Sequence, residues 1–346
     1  MKEKLLGKTL DELKQAAVSA GLPSFVGAQL ADWMYGKRTA EAARMTNVSK
    51  AAKAALGERF DFGFTSPSSV VVSSDGTSKY LFPVTCPVPG GEQSSSVEAV
   101  VIPDGERRTL CVSSQAGCKM GCRFCMTGRQ GWRGNLDAAH ILSQFLGVED
   151  PLSLTNAVFM GMGEPLDNYD TLIRVLEVLT APWGFGWSPK RITVSTIGVL
   201  PALKKLLEQT RCHVAVSLHN PFGEQRLAMM PSEKAWPLRD VVSLLKRYDF
   251  SGQRRVSFEY TMFDGWNDSL LHADALVRLL GGLECRVNLI RFHRIPDFPY
   301  GSCPDSAMEA FRDYLCSKGL TCTIRASRGE DIFEACGLLA GKHDDR

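Results

Sequence analysis

From Thr109 onward the sequence switches repeatedly between short apolar runs and longer helical ones. The runs near Leu110–Ser114, Asn156–Met162, Arg191–Ile197, His213–His219, Val256–Met262 and Val287–Phe292 have the length and β-branched content of strands. Helical patterns fill the gaps, for example Asp170–Leu179, Leu200–Gln209, Leu238–Tyr248 and Leu270–Leu280, and a last helix, Ser306–Lys318, leads to a strand at Thr321–Ala326. Strands alternating with helices predict a parallel sheet covered by helices. About six such units fall short of the eight that close a TIM barrel. The expectation is therefore an α/β fold, a partial (β/α)6 TIM-like barrel, with its site in the loops at the strands' carboxyl ends.

The first part of the chain reads differently. Thr9–Ala20, stopped at Gly21, and Ala28–Tyr35 and Ser49–Leu56 are helical, which suggests a small helical unit over residues 1–66. Over residues 67–108 the period shortens to that of a short antiparallel β extension. Ser68–Ser74 and Ser78–Pro83 flank Asp75-Gly76, a hairpin signal. Ser96–Ile102 is a further strand, and the Pro/Gly/Ser-rich stretch Pro87–Ser96 is expected to be a loop. Residues 109–346 then form the core. There is no internal repeat and no long low-complexity segment.

Eleven cysteines in 346 residues need an explanation. Met1–Ala16 is polar and Lys-rich, unlike a signal peptide, and nothing approaches the roughly 20 apolar residues of a membrane span. A reducing cytoplasm is expected, where clustered cysteines are metal ligands or catalysts rather than staples. The formal net charge of +2 does not announce a nucleic-acid binder, so any basic patch must be local.

Directly after the first strand of the series stands Cys118-Lys-Met-Gly-Cys122-Arg-Phe-Cys125. Three thiolates are one short of a closed four-ligand site. A 4Fe–4S cluster held this way keeps one iron open, where S-adenosylmethionine (SAM) can bind and be split into methionine and a 5′-deoxyadenosyl radical. The alternative is a zinc knuckle, which requires a fourth Cys or His nearby. None lies in the next dozen positions, and His140 falls inside the following helix.

The spacing resembles the radical SAM superfamily. The flanking words Thr109-Leu-Cys-Val-Ser-Ser-Gln-Ala-Gly-Cys118 and Arg328-Gly-Glu-Asp-Ile-Phe-Glu-Ala-Cys336-Gly resemble the RlmN/Cfr RNA methyltransferases, as does Gln29-Leu-Ala-Asp-Trp-Met-Tyr in the helical segment. The resemblance implies a detour around the poor nucleophilicity of an adenine ring carbon. One SAM methylates the Cys336 thiolate, and a second, on the cluster, yields the radical that takes hydrogen from that methyl group. The resulting carbon radical adds to the ring, and Cys111 then attacks Cys336, leaving a transient disulfide that must be reduced. Glu98 is implied as the proton acceptor. Two SAM molecules per turnover follow.

Gly161-Met-Gly163-Glu164-Pro165 resembles the superfamily's Gly-Gly-Glu-Pro signature, with Gly163 and Glu164 at the amino group of SAM. Ser195, Ser217, Leu218 and His219 match further family SAM contacts. One position departs: where the family has Asn after the sixth strand, this chain has His293, which can still donate or accept. The remaining cysteines, Cys86, Cys212, Cys285, Cys303, Cys316 and Cys322, carry no matching context and are expected to be core or incidental residues.

Lys119, Arg123, Arg129 and Arg133, interleaved with Phe124 and Trp132, form a basic stretch suited to RNA. The implied partners are 23S rRNA, a tRNA next to its anticodon, and a flavodoxin-like electron donor. The implied activity is methylation of adenine carbon 2, with carbon 8 as the alternative branch. Two readings lie outside it: a radical SAM enzyme of another class such as a glycyl-radical activase, which needs neither Cys111 nor Cys336, and an RNA-binding protein with a structural metal.

Overall fold

The computed structural model describes residues 2–252, 254–332 and Leu339. A capping box opens the first helix. The Thr9 hydroxyl accepts from the Glu12 amide, and the Glu12 carboxylate accepts from the Thr9 amide at 2.7 Å, satisfying two amides that a helix start leaves without partners. This first segment runs β1 (Glu3–Lys4), α1 (Leu10–Ser19), α2 (Phe25–Ala31), a π turn over Asp32–Gly36, α3 (Lys50–Arg59) and β2 (Phe60–Asp61), with β1 parallel to β2. The helix expected over Ala28–Tyr35 thus starts earlier, at Phe25, and widens into the π turn. The widening lets the Tyr35 hydroxyl donate to the Lys8 carbonyl at 2.7 Å while accepting from the Gly7 amide at 3.1 Å. Arg38, buried and left-handed (φ 51°), ties this segment to the core: its guanidinium lies over the rings of Phe185 and Trp187 and donates to the Pro151 carbonyl.

The β extension comprises β3 (Ser69–Val72), β4 (Ser78–Val88) and β5 (Gly91–Asp104). Asp75-Gly76 makes the expected turn between β3 and β4, with Gly76 at φ 84°. Pro87–Ser96, expected to be a loop, is strand on both sides of a two-residue turn. β4 and β5 stay paired from Ser78↔Val101 out to Val88↔Gly91. Pro89 and Gly90 alone make the turn, Pro fixing its own φ and Gly90 taking φ 92°. The serines misled because they weaken a strand only where no partner backbone is offered; here β4 offers one along its whole length.

The core follows: β6 (Arg107–Cys111), β7 (Gln115–Gly117), α4 (Met126–Arg129), β8 (Trp132–Asn135), α5 (Ala138–Leu146), β9 (Asn156–Phe159), α6 (Tyr169–Thr180), β10 (Ile192–Thr196), α7 (Leu200–Gln209), β11 (His213–Ser217), α8 (Gly223–Met229), α9 (Leu238–Leu245), β12 (Val256–Met262), α10 (Leu270–Leu280), β13 (Arg286–Arg291), α11 (Asp305–Ser317) and β14 (Thr321–Ile324). One ten-stranded sheet runs in chain order from β3 through β6 to β9 and on to β14. β3 to β6 are antiparallel, and β6 and β9 to β14 are parallel. β6 is the pivot, antiparallel to β5 and parallel to β9. The expected α/β class with an open parallel sheet is what the structure shows, and β14 adds a seventh parallel strand. The β extension is the same sheet continued.

The main apolar core spans the sheet, its helices and the N-terminal segment, from Leu13 and Leu30 through Phe82 and Phe159 to Leu289 and Phe311. Among the described residues no helix is long and apolar enough to cross a membrane.

Candidate active site

The site grows from the carboxyl ends of successive parallel strands. After β6, the chain pairs β7 with β8 and between them carries the loop of Cys118, Cys122 and Cys125. The Cys118 amide donates to the Gly131 carbonyl at 3.2 Å, the Arg123 amide to the Met229 carbonyl at 3.0 Å and the Cys125 amide to the Cys122 carbonyl at 3.2 Å. The three cysteines pack against a second apolar cluster separate from the main core, built from Met120, Phe124, Ile197, Met229, Met230 and Phe263 with Phe292 and Ile295. Sulfur and aromatic surface of this kind excludes water around a soft ligand set.

Burial pushes the Cys118 thiol up to about 12, and the charges of Glu164 and Cys125 add to the rise. Burial likewise pushes Cys122 well above its ordinary value, helped by Cys125 and Cys118 and opposed by Arg226. Three thiolates in this pocket repel one another and need a compensating cationic group. Among the described residues, no three His, Cys, Asp or Glu side chains are gathered to hold one metal ion. The donor set and its apolar setting fit a 4Fe–4S cluster held by Cys118, Cys122 and Cys125.

The next strand end, after β9, brings Gly161–Pro165. Gly163 takes φ 101°, and a Cβ there would lie 2.6 Å from the Gln115 Cβ, so only glycine fits. Gln115 is the hub: its Oε1 accepts from the Glu164 amide (2.9 Å), and its Nε2 donates to Asn135 (2.8 Å) and Asp167 (2.7 Å). Glu164 is 3% exposed. Its two oxygens accept from the amides of Leu166 (3.0 Å) and Ile197 (2.9 Å), which joins the β9 and β10 ends. Burial, against these hydrogen bonds, pushes its carboxyl up to about 7.

Ser195 is half-buried on β10, beside Ala215 of β11, and Ser217 is half-buried at the end of β11. Leu218 is buried. His219 is buried with φ 54°, and its ring meets Phe124 of the cysteine loop edge-on at 4.8 Å. Burial lowers its pKa to about 3, with the Arg226 charge adding to the drop. Its Nδ1 accepts from the Thr261 amide at 3.0 Å, so the neutral ring carries its proton on Nε2. His293 follows β13, and its Nε2 lies 3.1 Å from the Ser327 hydroxyl beyond β14.

Cys111 ends β6, beside Val100 of β5 and Val158 of β9. Glu98, one strand away, is 3% exposed, with Oε1 3.7 Å from Lys79 Nζ. Cys336 lies outside the described residues. Of the six cysteines expected to be core or incidental, Cys86, Cys212, Cys303 and Cys322 are buried, Cys285 is partly so and Cys316 is exposed.

The basic stretch is less open than expected. Phe124 is buried and cannot stack on bases. Lys119 pairs with Asp167 at 2.9 Å and lies over the Trp132 ring at 4.5 Å. Arg129 donates to the Pro296 carbonyl. Arg123 stays exposed.

Two parts of the site escaped the sequence reading. Arg226 on α8 is wholly buried. It donates to the carbonyls of Leu218 (3.0 Å), Ser217 (2.8 Å) and Ile197 (3.2 Å) and pairs with Glu233, so one guanidinium pins two strand ends. A polar rung also crosses four strands, Ser217↔Glu259↔Asn288↔Thr323. Asn288 donates to Glu259 at 2.8 Å, Thr323 donates to Asn288 at 2.9 Å, and Arg325 reaches Glu259 at 3.3 Å. The two-residue alternation Ser257, Glu259, Thr261 in an otherwise apolar run was its signal.

Residues 112–276 match the model of the Radical SAM superfamily, the class that this sheet and cysteine loop define. Residues 3–61 match the model of the ribosomal RNA large subunit methyltransferase N-terminal domain. A protein of Porphyromonas gingivalis named "Probable dual-specificity RNA methyltransferase RlmN" is 56% identical over 336 residues, covering 97% of this chain and 96% of its own. "Dual-specificity RNA methyltransferase RlmN" of Solidesulfovibrio magneticus is 41% identical over 349 residues, 98% of this chain and 97% of its own. The crystal structure of a radical SAM methyltransferase from Sphaerobacter thermophilus superposes with a TM-score of 0.91 at 35% identity, covering 98% of this chain and 100% of that one. The chain belongs to the RlmN family of radical SAM RNA methyltransferases. A 4Fe–4S cluster and SAM come with that membership.

Proposed function

We propose that this enzyme methylates carbon 2 of an adenosine in 23S rRNA, in the peptidyl-transferase centre, and of an adenosine next to the tRNA anticodon. The similarity that runs almost end to end with relatives named dual-specificity RNA methyltransferases carries this reading. Residues 1–66 would serve as an accessory RNA-binding unit and residues 67–108 as a β extension to the core of 109–346. The protein would work in the reducing cytoplasm and take electrons from a flavodoxin-like donor.

Cys118, Cys122 and Cys125 would hold the cluster, with SAM on the open iron. When bound, the pair supplies a 5′-deoxyadenosyl radical. Gly163 gives the ligand room, Glu164 accepts from its ammonium, and Ser195, Ser217, Leu218, His219 and His293 line its remaining edges. The aromatic cluster around Phe263 keeps water from the radical. Cys336, as thiolate, would take a methyl group from a first SAM and release S-adenosylhomocysteine. After that methyl loses a hydrogen atom, its carbon bonds to the ring, which links RNA to protein. Glu98 would accept the ring proton, the odd electron of the adduct would pass to the bound cluster, and attack of the Cys111 thiolate on the Cys336 sulfur would break the sulfur–carbon bond, the freed carbon taking up a proton to become the methyl group. That leaves a disulfide, reduced before the next turnover.

The test is a reaction of the anaerobically prepared holoenzyme with SAM, a reductant and unmodified 23S rRNA or tRNA, read by mass spectrometry of nucleosides. 2-Methyladenosine in both RNAs, absent with Cys336→Ala, is expected. 8-Methyladenosine would replace the carbon-2 assignment with the carbon-8 branch. No methylated adenosine from cluster-bearing protein would overturn the proposal.

Glu164 gives a pH prediction. Only the carboxylate can receive an ammonium, so SAM affinity of the cluster-bearing protein should rise roughly tenfold per pH unit below about 7 and level off above it. The same group lowers stability as pH rises. Its folded value lies above the ordinary 4.5, so its contribution is full below 4.5 and is lost as pH rises through about 7. Equilibrium dialysis of SAM between pH 5.5 and 8 reads the first effect, and a flat profile removes Glu164 from the ammonium.

A further inference from the structure

The tip of the β3–β4 hairpin stands at the edge of the sheet, yet its polar groups are spent on the chain far downstream. Asp75 Oδ2 accepts from the Gly329 amide at 3.1 Å. The Ser73 hydroxyl and the Ser74 amide (3.1 Å) donate to the two oxygens of Asp331. Lys79, buried on β4, donates to the Ile332 carbonyl at 2.7 Å and lies 3.7 Å from Glu98. Beyond residues 333–338, the chain is tied again. The buried Thr127 hydroxyl, two positions after Cys125, donates to the Leu339 carbonyl at 2.7 Å. One mooring therefore adjoins the proposed base and the other adjoins the cysteine loop, with Cys336 in the sequence between them.

We propose that Ser73, Lys79, Asp331 and Thr127 are positioning residues that moor both flanks of the Cys336 stretch for its methylation. The inference rests on the reading of Cys336 as methyl carrier. Nothing in the sheet's own pairing calls for these bonds, because β3 and β4 are already joined in register. Fixing both flanks shortens the search of the thiol for its methyl donor, the same gain that any orienting contact gives a reaction.

The experiment follows S-methylation of Cys336 in the cluster-bearing full chain, with SAM and reductant but no RNA, by peptide mass spectrometry over time. Asp331→Ala and Thr127→Val, one at each flank, should each slow it at least about tenfold while cluster absorbance and thermal midpoint stay near wild type. Asp331→Asn keeps acceptor oxygen and should restore most of the rate. Methylation of both variants at the wild-type rate overturns the mooring and leaves the carrier role intact. A wild-type enzyme that makes 2-methyladenosine without ever methylating Cys336 overturns the carrier role and the mooring with it. Slowing that merely tracks a lowered thermal midpoint, unrelieved by Asp331→Asn, assigns these residues to stability and overturns positioning.

Discussion

Cys122→Ala is expected to yield a folded protein that holds no intact iron–sulfur cluster and methylates no RNA. Cys122 is the middle thiol of the loop, and its ionised form is opposed by burial and by Cys125 and Cys118 on either side. Only a cationic cluster makes three thiolates tolerable there, and two cannot hold a cubane against reductant and solvent. The loss should exceed the roughly 100-fold that outer partners of a metal site command. Iron and sulfide analysis, absorbance at about 400 nm and nucleoside mass spectrometry read it together. A colourless wild-type protein loaded with zinc, or a variant as active as wild type, would refute the assignment of the loop.

The second large effect is on stability. Arg226→Leu should destabilise the fold by about 3–5 kcal/mol, because it takes the only cation from the largely covered Glu233 carboxylate, leaving it the Leu238 amide alone among the described hydrogen bonds, and leaves the carbonyls of Ile197, Ser217 and Leu218 without their donor. Burial already lowers the pKa of this guanidinium, but the Glu233 carboxylate counters that and keeps it charged. Denaturant unfolding measures the loss. The double variant Arg226→Leu with Glu233→Leu should recover part of it, since the orphaned charge is then gone. A single-variant loss under about 1 kcal/mol would mean that α8 and the surrounding packing hold the strand ends unaided.

The parallel strands were legible because each is a buried apolar run, and a buried run has few other uses. The cysteine loop was legible because its spacing is chemistry rather than packing. The Pro87–Ser96 stretch was misread because its local composition favours a turn, whereas its pairing is a property of the distant half of the hairpin. Phe124 was misread for a related reason: a sequence shows that an aromatic stands among cations but not which way it faces, and here it faces His219 and Phe263. Arg226 was invisible because its partners are mostly backbone carbonyls, which carry no letter in a sequence, and the Glu259–Asn288–Thr323 rung left only the polar alternation on its own strand as a trace because its partners lie on other strands. The flanking words around Cys111 and Cys336 suggested a joint role through resemblance alone, since spacing cannot show that the hairpin tip would be tied to the chain before Cys336.

A sheet laid down in chain order also sets a timetable. The cysteine loop leaves the ribosome about 170 residues ahead of Phe292, which with Phe263 completes the apolar cover over it. At synthesis rates of roughly 5–20 residues per second, the three thiols wait on the order of ten seconds or more without that cover. Nascent chains therefore pass through an interval in which the cysteines are open both to oxidation and to the machinery that delivers iron and sulfide. The order of the strands thus makes cluster delivery and protein synthesis competing clocks.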